Sequence, residues 1–207
     1  MIPPSRAETQ AWTWAAVTFG VVPALMKPLP VPEGLKIAIE LALLASWFFH
    51  QRITDIEVMR TGRMHPRYAV KPLKVTLTLI GLHSTLIMSV VTAVTLMGSF
   101  KVPKAVGEVL FPVFTFLVAT PAPLMLFRRK YYLHVLANLP PEAREEIVKT
   151  FRRACSLDAA CPPVLAVLDL TLLKRGRFSP VDVLSIVVIA GVAFVYARFR
   201  QGYLLGE

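Results

Sequence analysis

Two long apolar runs follow one another in this chain, and together they exclude most soluble folds. Leu73 to Phe100 holds a single charge, Lys74, near its start, and Ala105 to Phe127 holds only Glu108. Each exceeds the roughly 20 residues that an α-helix needs to cross about 30 Å of hydrocarbon. A soluble domain would have to bury both, yet a large part of any folded chain must face water. Composition extends the point to the whole chain: 55% of its 207 residues are hydrophobic, only 17% are charged, and the charges fall in short stretches between apolar runs. The expected fold class is therefore all-α. It is a polytopic membrane protein of about six transmembrane helices, or five, plus one short amphipathic helix, in a single membrane domain over residues 1–207.

The expected spans lie near 10–26, 34–50, 73–99, 106–127, 155–173 and 181–199. Trp12 and Trp14 suit an interfacial belt at the first, and Trp47, Phe48 and Phe49 do the same at the end of the second. The alternating prolines of Lys27 to Pro32 forbid regular helix between them. Residues 51–72 read as a polar, basic connection punctuated by Gly62, Pro66 and Pro72, whose first part, Gln51 to Arg60, can continue the helix outside the bilayer. The run 73–99 is expected to be one helix. In 106–127, Pro112, Pro121 and Pro123 kink the helix or leave its end non-helical, and Arg128-Arg129-Lys130 stops it.

Residues 141–154 read as the amphipathic helix. Prolines stand at its start, Glu142, Glu145 and Glu146 follow in the first turns, and Arg152 and Arg153 close it, as the helix dipole favours. Ile147, Phe151 and Ala154 share one face. The apolar stretch from Ala11 to Met26 lacks a small-residue cleavage site and is read as a retained helix, not a signal peptide.

The net charge of +10 would suggest nucleic acid in a soluble protein. Here it fits basic loops against anionic headgroups, and no recognition motif supports nucleic acid. Lys and Arg are more numerous on the side that would carry both termini, which places the termini in the matrix or cytoplasm. Cys155 and Cys161 are too few for a disulfide scaffold and too unfavourably spaced for a metal pair. No metal site, phosphate-binding glycine loop or catalytic constellation is expected.

Charges at membrane depth are costly and are candidates for function. Glu40 lies in the second span. Asp158 and Asp169, eleven residues apart, fall close to one face of the fifth, with no basic residue expected mid-span to pair with them. With His83 they form a possible intramembrane relay. Arg128, Arg129, Lys130, Arg152 and Arg153 are candidate contacts for anionic lipid headgroups, cardiolipin or another phospholipid being the one bound cofactor contemplated. His50, Asp55, Glu57, Arg60 and His65 could serve a lipid-modifying enzyme at the interface. Gly81 and Gly98 lie too far apart for a small-residue seam, whereas Ala42, Ala45 and Ser46 smooth one face of the second span.

The preferred functional expectation is an accessory subunit without catalysis of its own. It would belong to a larger complex of the inner membrane, mitochondrial in preference to bacterial, of respiratory or ATP-synthesising type. Its partners would be other subunits of that complex and anionic lipid. A small transporter or channel for protons or a small solute is the alternative, and a membrane-embedded lipid-modifying enzyme the second.

Overall fold

The computed structural model describes residues 13, 17, 21–26, 30–61, 66–99, 118 and 120–206. Among them every regular element is helical, so the all-α class holds. Two compact units are present, Met1–His65 and Pro66–Glu207.

The first unit holds α1, Val22–Met26, and α2, Glu33–Thr61. Helix α2 opens after Pro32 and continues through Gln51 to Arg60 as one helix. Asp55 is buried on it and is paired with Gln51 one turn earlier.

In the second unit, α3 spans Pro66–Gly81 and α4 spans His83–Ser99. Their axes meet at 65° around Leu82, so the run expected to be one straight helix is broken. Pro72, read as punctuation, lies inside α3, whose N-terminus is Pro66. Two short helices follow, α5 over Pro121–Phe127 and α6 over Arg129–Asn138. Pro121 starts α5, its missing N–H being one that a first turn leaves unpaired anyway. The expected stop at Arg128-Arg129-Lys130 reduces to one residue: Arg128 turns the chain and α6 begins at Arg129.

Helix α7, Pro141–Lys174, joins the expected amphipathic helix and the fifth span into one rod of 34 residues, about 50 Å long. Pro162 and Pro163 lie within it without ending it. It stops where Arg175 and Gly176 take left-handed backbone at φ 49° and 80°. Helix α8, Pro180–Leu205, then starts from a capping box in which Ser179 and Asp182 each satisfy the other's backbone N–H.

Helix α7 is central to this unit. Contacts along its length rise together in residue number with α3 and α4 (Lys74 with Glu146, Thr85 with Asp158, Thr92 with Asp169), so those helices run parallel to it. Helix α8 returns antiparallel, pairing Lys174 with Asp182 and Asp158 with Arg200. The packed core gathers at one end: Leu73, Leu77 and Ile80 of α3, Tyr132 and Val135 of α6, Ile147, Phe151 and Cys155 of α7, and Leu204 of α8 are all buried. Towards the α7–α8 turn the surface is apolar instead, with Val164, Leu173, Leu184, Val188 and Val195 exposed.

By length and composition, α7 and α8 could each cross a membrane, and the bent pair α3–α4 makes a third crossing if counted as one. Two to three such helices among the described residues are fewer than the six expected. The charges of Lys36 and Glu40 and the polar stretch beyond His50 dilute α2. Most of the expected spans 10–26 and 106–127 lies outside the described residues.

Candidate functional site

Three buried polar side chains, His83, Asp158 and Arg200, meet at the break at Leu82. Ending α3 and starting α4 leaves backbone groups without partners in their own helices. Arg200, fully buried on α8, donates from Nη1 to the Ile80 carbonyl at 3.0 Å. Asp158, fully buried on α7, accepts at Oδ1 from the Thr85 amide at 2.6 Å, and its Oδ2 receives Nη2 of Arg200. The positive partner therefore sits at the negative end of one half-helix and the negative partner at the positive end of the other. The expectation that no base would face Asp158 is corrected here. Arg200, one residue beyond the expected span 181–199, reaches back into the core because α8 continues to Leu205.

Around the pair, the guanidinium lies 4.1 Å from the centroid of the Tyr196 ring. The Tyr196 hydroxyl is 3.0 Å from Nδ1 of His83, and Nε2 of His83 is 2.7 Å from the Val118 carbonyl. A carbonyl only accepts, so in the neutral ring Nε2 carries the proton and Nδ1 accepts from the tyrosine hydroxyl. Gly81 makes this assembly possible: a Cβ there would stand 2.7 Å from Cβ of Ala154. The glycine lets α3 approach α7 closely where the helix breaks. Sequence reasoning had set it aside for lack of a second small residue at helical spacing.

Further along the same interface, Thr92 donates to Oδ2 of Asp169 at 3.0 Å, while Oδ1 of Asp169 is buried with no hydrogen-bond partner among the described residues. At the far end of the hairpin, Lys174 binds both oxygens of Asp182 at 2.6 and 2.9 Å, and Ser179 donates to Asp182 from its amide and its hydroxyl. From Asp182 to Arg200 the helix rises about 27 Å, close to the thickness of a bilayer core. The two ion pairs thus bracket an apolar hairpin at both ends.

Within the second unit the relay candidates divide between two places on α7. Asp158 and His83 meet at the break, Asp169 lies further along α7 with its own threonine, and Glu40 is exposed on α2 of the first unit. Of the lipid candidates, Arg128 packs over the rings of Tyr131 and Tyr132. Arg129 donates to the Tyr203 carbonyl at 2.7 Å and covers its ring. Lys130, Arg152 and Arg153 are exposed. Arg152 and Arg153 share an outer face of α7 with Glu145, Lys149 and Ser156. His50, Asp55, Glu57 and Arg60 share α2, but Asp55 is turned into the interior while Arg60 is on the helix's last turn. His65 lies outside the described residues. Among the described residues no three His, Cys, Asp or Glu side chains are grouped to hold a metal ion.

Arg200, Thr85 and Tyr196 were missed as partners, yet one signal for them existed. Asp158 and Arg200 lie 21 residues on either side of Ser179, so a hairpin turning there sets them face to face. No family model, curated protein or solved structure matches the chain.

Proposed function

We propose that this chain is a non-catalytic accessory subunit of a larger inner-membrane complex, of the energy-transducing, respiratory or ATP-synthesising kind. It stabilises neighbouring subunits and contacts anionic lipid. The observation that carries this reading is the use made of the buried charges. Asp158 and Arg200 neutralise each other and hold two half-helix ends together, which is a structural task. The exposed apolar surface of α7 and α8 is the kind that neighbouring subunits and lipid would cover. The apolar segments 10–26, 34–50 and 106–127 add further crossings on this reading. The basic loops orient both termini to the matrix or cytoplasm, with the mitochondrial inner membrane preferred.

Native electrophoresis after gentle detergent extraction, with mass spectrometry of the band, tests it. Co-migration with respiratory or ATP-synthesis subunits in a band of several hundred kilodaltons is the expected result. A stable, active monomer would sink it.

One observation favours a second reading, a small proton or cation transporter: the unpartnered, buried Oδ1 of Asp169. Unchanged flux through the reconstituted triple variant E40Q/D158N/D169N would reject that site.

A further inference from the structure

We propose that the turn between α7 and α8 is an anchor for an anionic lipid surface, held through Arg175 and Arg177. The anchor rests on the lipid-contact part of the reading above and deepens it, by placing a contact at the tip of the hairpin. Residues 173–184 carry three cations, Lys174, Arg175 and Arg177, and one acid, Asp182. Asp182 is buried and already satisfied: Lys174 binds both of its oxygens, and the Ser179 amide and hydroxyl donate to it as well. It therefore leaves the two arginines unneutralised. Both are exposed, and their side chains make no hydrogen bond, ion pair or ring contact among the described residues. The turn that carries them is closed by the Arg177 amide, which donates to the Lys174 carbonyl at 3.0 Å. Arg175 and Gly176 take left-handed backbone there, and nothing lies within 4 Å of where a Cβ on Gly176 would stand. Two guanidinium groups thus stand on a closed turn with open space beside it.

The surface directly beneath the turn selects a membrane over a single protein partner. Leu173 at the end of α7, Phe178 in the turn and Val181 at the start of α8 are exposed. Val183, Leu184, Val187 and Val188 are exposed too, and at about 100° per residue they and Val181 cover about 160° of α8. One neighbouring helix typically meets a stripe of roughly 100°. Acyl chains cover any width, and their phosphates lie where the hydrocarbon ends. Cations bordering a broad apolar collar match that layering, and a guanidinium pairs with phosphate in a planar fork. A free phosphate would have no use for the collar. On the orientation proposed above, the anchor meets the leaflet opposite the termini.

The test uses the full chain as C155A/C161S with a bimane fluorophore on V181C, reconstituted in phosphatidylcholine vesicles. Quenching by doxyl-labelled phosphatidylglycerol is compared with quenching by doxyl-labelled phosphatidylcholine at the same mole fraction. The anionic lipid should quench severalfold more efficiently. Salt at about 1 M, which shortens the screening length to about 3 Å, should abolish the difference. R175N/R177Q should weaken the preference by about fivefold or more, since one basic group near a membrane surface favours anionic lipid by about that factor. Asparagine stands at 175 because it tolerates left-handed backbone. R175K/R177K keeps both charges and should keep the preference, and circular dichroism of both variants checks that the helices persist. Equal quenching by the two lipids in the parent protein, or an undiminished preference in R175N/R177Q, overturns the proposal. So does loss of the preference on adding millimolar inorganic phosphate at constant ionic strength, which would make this a free-anion site. Co-migration with a large complex but no lipid preference at the turn would overturn the anchor and leave the accessory-subunit reading standing. A lipid preference in a stable, active monomer would do the reverse.

Discussion

Replacing Arg200 by glutamine tests whether the buried pair holds the broken helix together. In R200Q the Asp158 carboxylate stays buried with the Thr85 amide as its remaining hydrogen-bond donor. The Ile80 carbonyl loses the donor that reaches it from α8. Removing one member of a buried ion pair typically costs about 3–5 kcal/mol, most of it the price of the stranded charge. For a chain of this size about 2–4 °C of melting temperature accompanies each kcal/mol, so a fall of roughly 6–20 °C is expected. The double variant D158N/R200Q strands no charge. It should recover part of the loss, with a coupling of about 2–3 kcal/mol relative to the two single changes. Thermal unfolding followed by circular dichroism in a mild detergent reads all four proteins. A melting temperature for R200Q within a degree or two of wild type, or strictly additive single changes, would refute the role assigned to the pair.

Glycine 81 should not accept a side chain. G81A drives a methyl group against Ala154, with an expected loss of about 1–3 kcal/mol, whereas G191A meets nothing within 4 Å and should be neutral or slightly stabilising in the same melting assay. At Asp169, T92V alone strands both carboxylate oxygens and should cost about 1–3 kcal/mol, while T92V/D169L removes both polar groups and should be better tolerated than T92V. If α7 and α8 cross the bilayer as a hairpin, single cysteines at positions 137 and 177 of a C155A/C161S protein should react with an impermeant maleimide from opposite sides of sealed vesicles. Labelling of both from one side would exclude that crossing.

Much of the helical framework was legible in local pattern. The prolines before Glu33 and at 140–141 and the acidic first turn after the latter mark helix starts that the structure has. Ile147, Phe151 and Ala154 were read as one face, and all three are buried. The errors fall where local signals compete with distant ones. The expected amphipathic helix 141–154 and span 155–173 are one helix despite Pro162 and Pro163, because α7 packs against helices on several sides. The run 73–99 looked continuous because nothing in its own residues except Gly81 argues otherwise.

What the sequence determined by itself is therefore the helical class, the apolar character of α7 and α8, and the helix starts at Glu33 and Pro141. Each follows from residues within a few positions of one another. The tertiary structure alone decided the break at Leu82 and the fate of the buried charges. Breaking a helix strands backbone donors and acceptors, and the groups that satisfy them stand far away in the chain: Asp158 is 73 residues from Thr85, and Arg200 is 120 from Ile80. Local pattern carries no record of such partners. They exist only once α7 and α8 have folded back against the break.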